Sequence, residues 1–184
     1  IPPIGGIVIY FTLLIYTLFN NINPYLDIIY YTSFIILVIG LIDDIYELNF
    51  LFRLFFQICS ASIIIYFGLF IVDLGDYLYF NFNNLSLFGI LLTIFAVISL
   101  ANSINFIDGI DGLSSSLIII AITSLYIFSY ISNRPIEDDF LFLFLIILIL
   151  FFIFNIGLFT NLKIFLGDSG STFIGFLFAW FLIY

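Results

Sequence analysis

Histidine and methionine do not occur in this 184-residue chain, cysteine occurs once, and lysine and arginine together occur three times. Each shortage removes a class of function. With three basic residues against twelve acidic ones, and a net charge of −9, the chain lacks the phosphate-neutralising side chains that nucleic-acid binding needs. By the same reasoning, a phosphate-bearing ligand needs a metal cation to offset these carboxylates. The lone Cys59, set in an apolar run, cannot form an internal disulfide and reads as a small buried hydrophobe. A chain that opens on Ile1 and holds neither methionine nor histidine reads as a piece of a longer one. Charged residues reach only 8%, hydrophobic residues reach 65%, and the mean hydropathy is +1.35, which takes the chain out of the soluble class and into that of polytopic membrane proteins.

What is present is a series of apolar runs of about 15 to 23 residues, each able to cross roughly 30 Å of hydrocarbon. They extend from Gly6 to Phe19, Leu26 to Ile42, Leu51 to Val72, Leu85 to Ala101, Leu113 to Ile131, Phe140 to Gly157 and Ser171 to Tyr184. Runs so numerous and so far from the start are not a secretory signal. Phe, Ile, Leu and Tyr fill them so evenly that amphipathic periodicity says little, and there is no internal repeat. The expected fold class is all-α: a polytopic membrane helix bundle of about seven transmembrane spans, forming one integral-membrane domain over residues 1–184.

The links between the runs alternate in character. One set, Asn20 to Tyr25, Asp73 to Asn84 and Ser132 to Asp139, has the makeup of ordinary solvated connections, with a small hairpin expected in the middle one. Asn84-Leu-Ser86 matches a glycosylation acceptor there, but its closeness to a span makes the match coincidental. The other set, Pro2 to Gly5, Asp43 to Phe50, Asn102 to Gly112 and Leu158 to Gly170, contains every motif with chemical promise. Inserting or removing one span would scatter these motifs over two faces, so the count places them together. Arg53 and Lys163 on that side against Arg134 on the other make it the cytoplasmic face by the positive-inside rule.

In the central polar stretch, Asn102, Asn105, Asp108 and Asp111 recur every third residue, a spacing that gathers neighbouring members on one side of a helical or 3₁₀-like backbone. Gly109 and Gly112 follow the two acids, where a backbone without Cβ can turn sharply and let a ligand approach. Asp43-Asp44 closes the second run with Glu47 a turn beyond; adjacent helical residues point about 100° apart, so the two acids should play different parts. Arg53 opens the next run with Gln57 on the same face, and a guanidinium so placed either snorkels or holds an anion. Lys163-Ile-Phe-Leu-Gly167-Asp168-Ser-Gly-Ser171 precedes the last run. Asp168 there is either a plain helix cap or part of an anion-binding helix N-terminus, and Phe165 is by default a packing residue.

These elements, Asp43-Asp44 with Leu48, Arg53 and Gln57, then Asn102-xx-Asn105-xx-Asp108-Gly-x-Asp111-Gly-Leu, then Lys163 to Ser171, resemble in order and spacing the polyprenyl-phosphate N-acetylhexosamine-1-phosphate transferases. Pro2-xx-Gly5-Gly6 is similar to that family's N-terminal Pro-x-x-Gly-Gly element. The wording Phe-Ile-Asp-Gly-Ile-Asp-Gly is closer to the bacterial UDP-N-acetylhexosamine branch than to the peptidoglycan branch. The resemblance covers essentially the whole chain and implies that its seven spans are the second through eighth of about ten to eleven. The family's His-containing loop after the ninth span, and the basic segment before Pro-x-x-Gly-Gly, would lie beyond the ends of these residues.

The resemblance further implies transfer of N-acetylhexosamine-1-phosphate from a UDP-sugar, with UDP-GlcNAc foremost, to undecaprenyl or another polyprenyl phosphate. UMP would be released, as the first step of a cell-envelope polysaccharide. Asp43 and Asp44 would be the essential acid pair, one of them orienting or deprotonating the acceptor. Asp168 would bind the catalytic Mg²⁺, with Mn²⁺ as an alternative and Asn105 as second ligand. Arg53, where the family usually has Lys, would meet the substrate pyrophosphate. Asp108, Asp111 and the backbone at Gly109 would line the nucleotide pocket, Phe165 would stack on uracil, and Asn102, Gly167 and Lys163 complete the substrate-binding set. The protein would sit in the inner membrane with its active site facing the cytoplasm, in the lipid bilayer and open to homodimer formation. A membrane transporter or an inactive scaffold is the alternative, although transporter sites lie near the midplane rather than at span ends.

Overall fold

The structure, a computed structural model, describes residues 4–20, 23–77, 80–81, 85–132, 138–158 and 163–184. Among these described residues there are seven helices, in order α1 (Gly5–Phe19), α2 (Pro24–Tyr46), α3 (Phe50–Tyr66), α4 (Ser86–Ile107), α5 (Leu113–Ser132), α6 (Asp138–Asn155) and α7 (Gly167–Ile183). Between α3 and α4 lies the expected hairpin, two antiparallel two-residue strands that pair Asp76 with Asn81 and Tyr77 with Phe80. Pro2, Asn84 and Arg134 lie outside the described residues.

The helices start and stop for local reasons. Asn23 and Asn49 cap α2 and α3, their side chains accepting from the N–H of Tyr25 (3.1 Å) and Leu51 (3.0 Å), and Pro24 supplies a first-turn φ at no hydrogen-bond cost. α3 ends at Tyr66 rather than near Val72, because Gly68 turns to φ +94° and the chain leaves the helix. α2 and α4 run on past the apolar stretches to Tyr46 and Ile107, so Asp43, Asp44, Asn102 and Asn105 are helical rather than in loops. Only the Asp108 to Gly112 part of the central stretch is a turn.

α7 is the axis of the bundle. Every residue from Ser169 through Phe181 is buried, with α2 and α4 packed along it and α1 and α5 touching it. Small residues permit this. A Cβ on Gly6 would fall 2.3 Å from Gly170 Cα, one on Gly40 2.3 Å from Ser169 Cα, and one on Gly175 2.8 Å from Ala101 Cα. Close backbone approach through glycine is how helices associate where lipid removes the hydrophobic drive between them. Aromatic rings fill the remaining space: Tyr10 stacks on Tyr30 at 4.6 Å and meets Phe173 edge-on, and Phe140 and Phe144 both pack on Phe181.

The outside is apolar as well. Phe11, Ile15, Phe55, Phe95, Ile120, Phe128 and Leu150 are exposed, a surface suited to hydrocarbon and not to water. Three helices, Pro24–Tyr46, Ser86–Ile107 and the Leu113–Ile131 part of α5, are long and apolar enough to cross a membrane. The other four are apolar but shorter; at 1.5 Å per residue, 17 residues reach about 26 Å of the roughly 30 Å needed. Seven helices thus stand where seven spans were expected, three of them at full crossing length.

Candidate active site

The helix ends that carry the motifs converge: the N-termini of α1, α3, α5 and α7 and the C-termini of α2, α4 and α6. Their junction is built around the first turn of α7. Leu166, at its N-cap position, has no side chain that can cap. The cap comes instead from another helix. Asp44, in the last turn of α2, accepts the N–H of Asp168 on Oδ1 (2.8 Å) and that of Ser169 on Oδ2 (3.3 Å). Gly40, one turn earlier on α2, makes the approach close enough, and a carboxylate at the positive end of a helix dipole is well placed. Asp168 is therefore not the plain cap of its own helix; it sits inside the first turn.

Asp43 points elsewhere, as the 100° rule required. Its Oδ1 accepts the N–H of Leu48 (2.7 Å), which closes the turn after α2, and its Oδ2 pairs with Arg53 Nη1. The same nitrogen reaches Asp168 Oδ2 at 3.2 Å. In this trio the Asp43 side chain is 5% exposed, Arg53 21% and Asp168 48%, so Asp168 is the member presented to solvent. The space enclosed behind them, bordered by Gly40, Gln57 and Thr172, is only about 10 Å³. That space has no room for a group the size of a diphosphate.

α4 supplies the adjoining wall. Asn105 Oδ1 accepts the hydroxyl of Ser171, on the first turn of α7, at 2.8 Å. Asn102 exchanges hydrogen bonds with the Gln57 amide (2.8 and 3.4 Å) and donates to Ile98 O, so it ties α4 to α3 and does not touch the carboxylates. Beyond the end of α4, Asp108 accepts the Ser114 hydroxyl. Burial raises its pKa to about 6 against the Ser114 hydrogen bond, which lowers it, and the charges of Asp168 and Asp111 push the same way as burial. Asp108 therefore lies within electrostatic reach of Asp168. Asp111 and Lys163 form an exposed ion pair at 2.6 Å, and Gly109 is exposed with open space around it.

The segment 163–166 carries Phe165 past this turn. Its backbone O accepts the N–H of Gly5 at 3.0 Å, while its ring is partly exposed; Gly167, at φ +74°, then turns the chain into α7. Gly5 and Gly6 of the N-terminal motif thus hold the start of α7 in place. Asp43, Asp44, Arg53 and Asp168 are in direct contact, Asn105 adjoins them through Ser171, and Asp108, Asp111, Gly109, Lys163 and Phe165 form a second, more open group beside them.

Sequence reasoning passed over Ser114, Ser171 and Asn155. The two serines are inconspicuous among five at the starts of α5 and α7. Asn155 had a signal: a carboxamide at the end of an apolar run is costly unless it is paired. It is 5% exposed and both ends of its amide are used.

The donors near α7 suit a hard cation. Asp168 offers a half-exposed carboxylate and Asn105 a carbonyl oxygen, both at the motif end of the bundle. Among the described residues no three acidic, His or Cys side chains enclose a metal. Mg²⁺ does not require that, since it is commonly held by one or two carboxylates with waters and substrate phosphates.

Comparison with known proteins agrees with the geometry. The profile of glycosyl transferase family 4 matches residues 26–184. The chain is 28% identical over its full length to an undecaprenyl-phosphate alpha-N-acetylglucosaminyl 1-phosphate transferase of Escherichia coli K12, covering 51% of that protein. Over 77% of the chain it is 34% identical to a decaprenyl-phosphate N-acetylglucosaminephosphotransferase of Mycobacterium leprae, covering 37% of it. Over 95% of the chain it is 28% identical to a probable undecaprenyl-phosphate N-acetylglucosaminyl 1-phosphate transferase of Bacillus subtilis, covering 49% of it. The chain spans about half the length of the Escherichia coli and Bacillus subtilis relatives.

Proposed function

Because this chain belongs to glycosyl transferase family 4, we propose that the protein containing it transfers N-acetylglucosamine-1-phosphate from UDP-N-acetylglucosamine to a polyprenyl phosphate. The names of its relatives carry a polyprenyl phosphate and an N-acetylglucosamine phosphate group, which supports the acceptor and the group transferred; UDP as its carrier is our reading. In the reaction, an oxygen of the lipid phosphate forms a bond to the sugar-bearing β-phosphorus, the bond from that phosphorus to the bridging oxygen breaks, and UMP leaves with the electron pair. The observation that carries the reading is the contact of Asp44 and Arg53, from the first motif, with Asp168 from the third, while Asn105 of the second adjoins through Ser171. A phosphate monoester loses its second proton near pH 6, so the acceptor is already mostly dianionic at neutral pH and needs little from a general base.

Charge control is then the chief task. Asp168 and Asn105 would hold Mg²⁺, which when bound neutralises diphosphate charge and polarises the phosphoryl oxygens. Arg53 is positioned between Asp43 and Asp168 to offer its guanidinium to the same charge, and Asp43 fixes its orientation. Asp44 has both oxygens on backbone N–H groups, so its work is to hold the first turn of α7, and with it Asp168, in register. Asp108, Asp111, Gly109 and Phe165 would receive the uridine part, with Asn102, Gly167 and Lys163 bordering it. Orientation follows from charge: Arg53 and Lys163 at this end support a cytoplasmic-facing site in a bacterial inner membrane.

The test is UMP release by the complete reading frame, assayed with Mg²⁺, undecaprenyl phosphate and a panel of UDP-sugars. The expected result is release that requires both substrates and that Asp168→Ala abolishes. Absence of UMP release with every donor, together with substrate flux through liposomes containing the protein, would overturn it in favour of transport.

A further inference from the structure

We infer that Asn155 is a positioning residue: a carboxamide clamp that joins the two loops of the nucleotide side into one platform. Its Oδ1 accepts the N–H of Gly112 at 2.5 Å, and its Nδ2 donates to the backbone O of Ile164 at 2.9 Å. Gly112 ends the turn that carries Asp108, Gly109 and Asp111; Ile164 lies between Lys163 and Phe165. One side chain therefore fixes the spacing of two backbone segments far apart in sequence. Nothing else among the described residues makes both contacts, and the only other polar tie between the segments is the exposed Lys163–Asp111 pair, which solvent and salt weaken.

The surroundings are shaped to this purpose. Asn155 is the last residue of α6, and that end is held by a left-handed Gly157 (φ +70°), with Leu158 N–H bonded back to Ile153 O at 3.1 Å. The clamp thus grows from a rigid base. Gly112 has φ +78°, and a Cβ there would lie 2.6 Å from Ile156 Cγ2 and 3.0 Å from Phe152 Cε2. Only glycine brings its N–H down onto the carboxamide. On the other side of the clamp, Gly5 N–H bonds Phe165 O, so the segment 163–166 is held by both α1 and Asn155. Aspartate in place of Asn155 keeps an acceptor for Gly112 but sets a carboxylate oxygen against the Ile164 carbonyl; leucine keeps the volume and removes both bonds.

The inference rests on the function proposed above, and its test separates the two. In the complete protein in detergent, Asn155→Leu and Asn155→Asp are compared with wild type by amide hydrogen exchange over 108–116 and by KM for each substrate. Asn155→Leu should lose protection at the Gly112 amide and raise KM for the UDP-sugar on the order of tenfold, with KM for polyprenyl phosphate within about twofold, because misplacing a binding segment is felt most by the group it holds. Asn155→Asp should keep the Gly112 protection and still raise the nucleotide KM. Unchanged exchange in Asn155→Leu, or equal rises in both KM values, or wild-type nucleotide KM in Asn155→Asp, overturns the clamp. If the wild-type protein turns over no UDP-sugar while the exchange results hold, the clamp stands and the assigned reaction falls.

Discussion

The two ends of this bundle are built from the same apolar helices and are held together by opposite means. At the motif end, ion pairs and side-chain amides cross between helices: Arg53 with Asp43 and Asp168, Asp44 on α7, Gln57 with Asn102, Asn105 with Ser171, and Asn155 on two loops. All three ion pairs among the described residues lie there. At the other end the ties are few and neutral: Ile71 N–H to Thr93 Oγ1 at 2.9 Å, Leu85 N–H to Val72 O at 2.9 Å, and Asn23 Nδ2 to Tyr184 Oη at 2.7 Å. A hollow of about 480 Å³ opens there beside Ile71, Asp73, Leu100 and Ala179. Acids occur at both ends, but among the described residues only at the motif end are they tied to other helices by ion pairs and hydrogen bonds; charge held in that way at the edge of apolar helices is costly unless it is used.

The sharpest way to break this contrast is Arg53→Leu. It leaves buried Asp43 without its counter-ion, a loss of about 3–5 kcal/mol for a fully buried pair; partial exposure of Arg53 brings the expected cost to about 2–3 kcal/mol. Thermal unfolding in detergent should show it, and UMP release should fall to background. Next comes Gly40→Ala. Its Cβ would lie 2.3 Å from a backbone atom of α7 and cannot be relieved by a rotamer change, so α2 and α7 must separate, at about 1–3 kcal/mol. Activity should drop more than stability, because Asp44 moves with α2.

Asp44→Ala removes the cap from two N–H groups of α7 at about 1–2 kcal/mol. If Asp44 acts through α7, Asp44→Asn, which keeps an acceptor, should recover much of the lost kcat; a variant as dead as Asp44→Ala would mean the carboxylate itself reacts. For Asp108 the sign runs against the usual acid. Its folded value, about 6, lies above its ordinary 3.8, so the neutral form favours the fold; that contribution is complete below 3.8 and lost as pH rises through about 6. Asp108→Asn should flatten this part of the stability profile, measured by unfolding between pH 4 and 7 without substrate. The smallest effect belongs to the far end. Thr93→Val strands the Ile71 N–H at about 1–2 kcal/mol and should leave both KM values unchanged. A large activity loss there would erase the difference between the ends.

Much of this was legible beforehand for identifiable reasons. The seven apolar runs became seven helices because nothing in them except a glycine such as Gly68 interrupts the backbone. Parity then put the motifs at one end, a consequence of counting that needs no contacts. Where the sequence misled was at helix ends. The apolar runs stop at Ile42 and Ala101, yet α2 and α4 carry on through Asp43, Asp44, Asn102 and Asn105, as the helical spacing of those residues implied, since their carboxylates and amides are satisfied by partners on other helices. Asp168 has the makeup of a local cap, yet the cap is Asp44, 124 residues away. Asn155 belonged to no motif, and its role exists only because two distant loops pass on either side of it.

Composition and the order of the motifs alone determined an apolar helical chain with its chemical motifs gathered at one end, because hydrocarbon forces every spanning backbone to satisfy its own hydrogen bonds. Only the tertiary structure decided how neighbouring acids divide their work. Two carboxylates adjacent in sequence leave a helix in different directions, and which one meets a guanidinium and which a helix terminus depends on where α3 and α7 pack. That packing is set by glycines whose missing side chains matter only when another backbone is pressed against them.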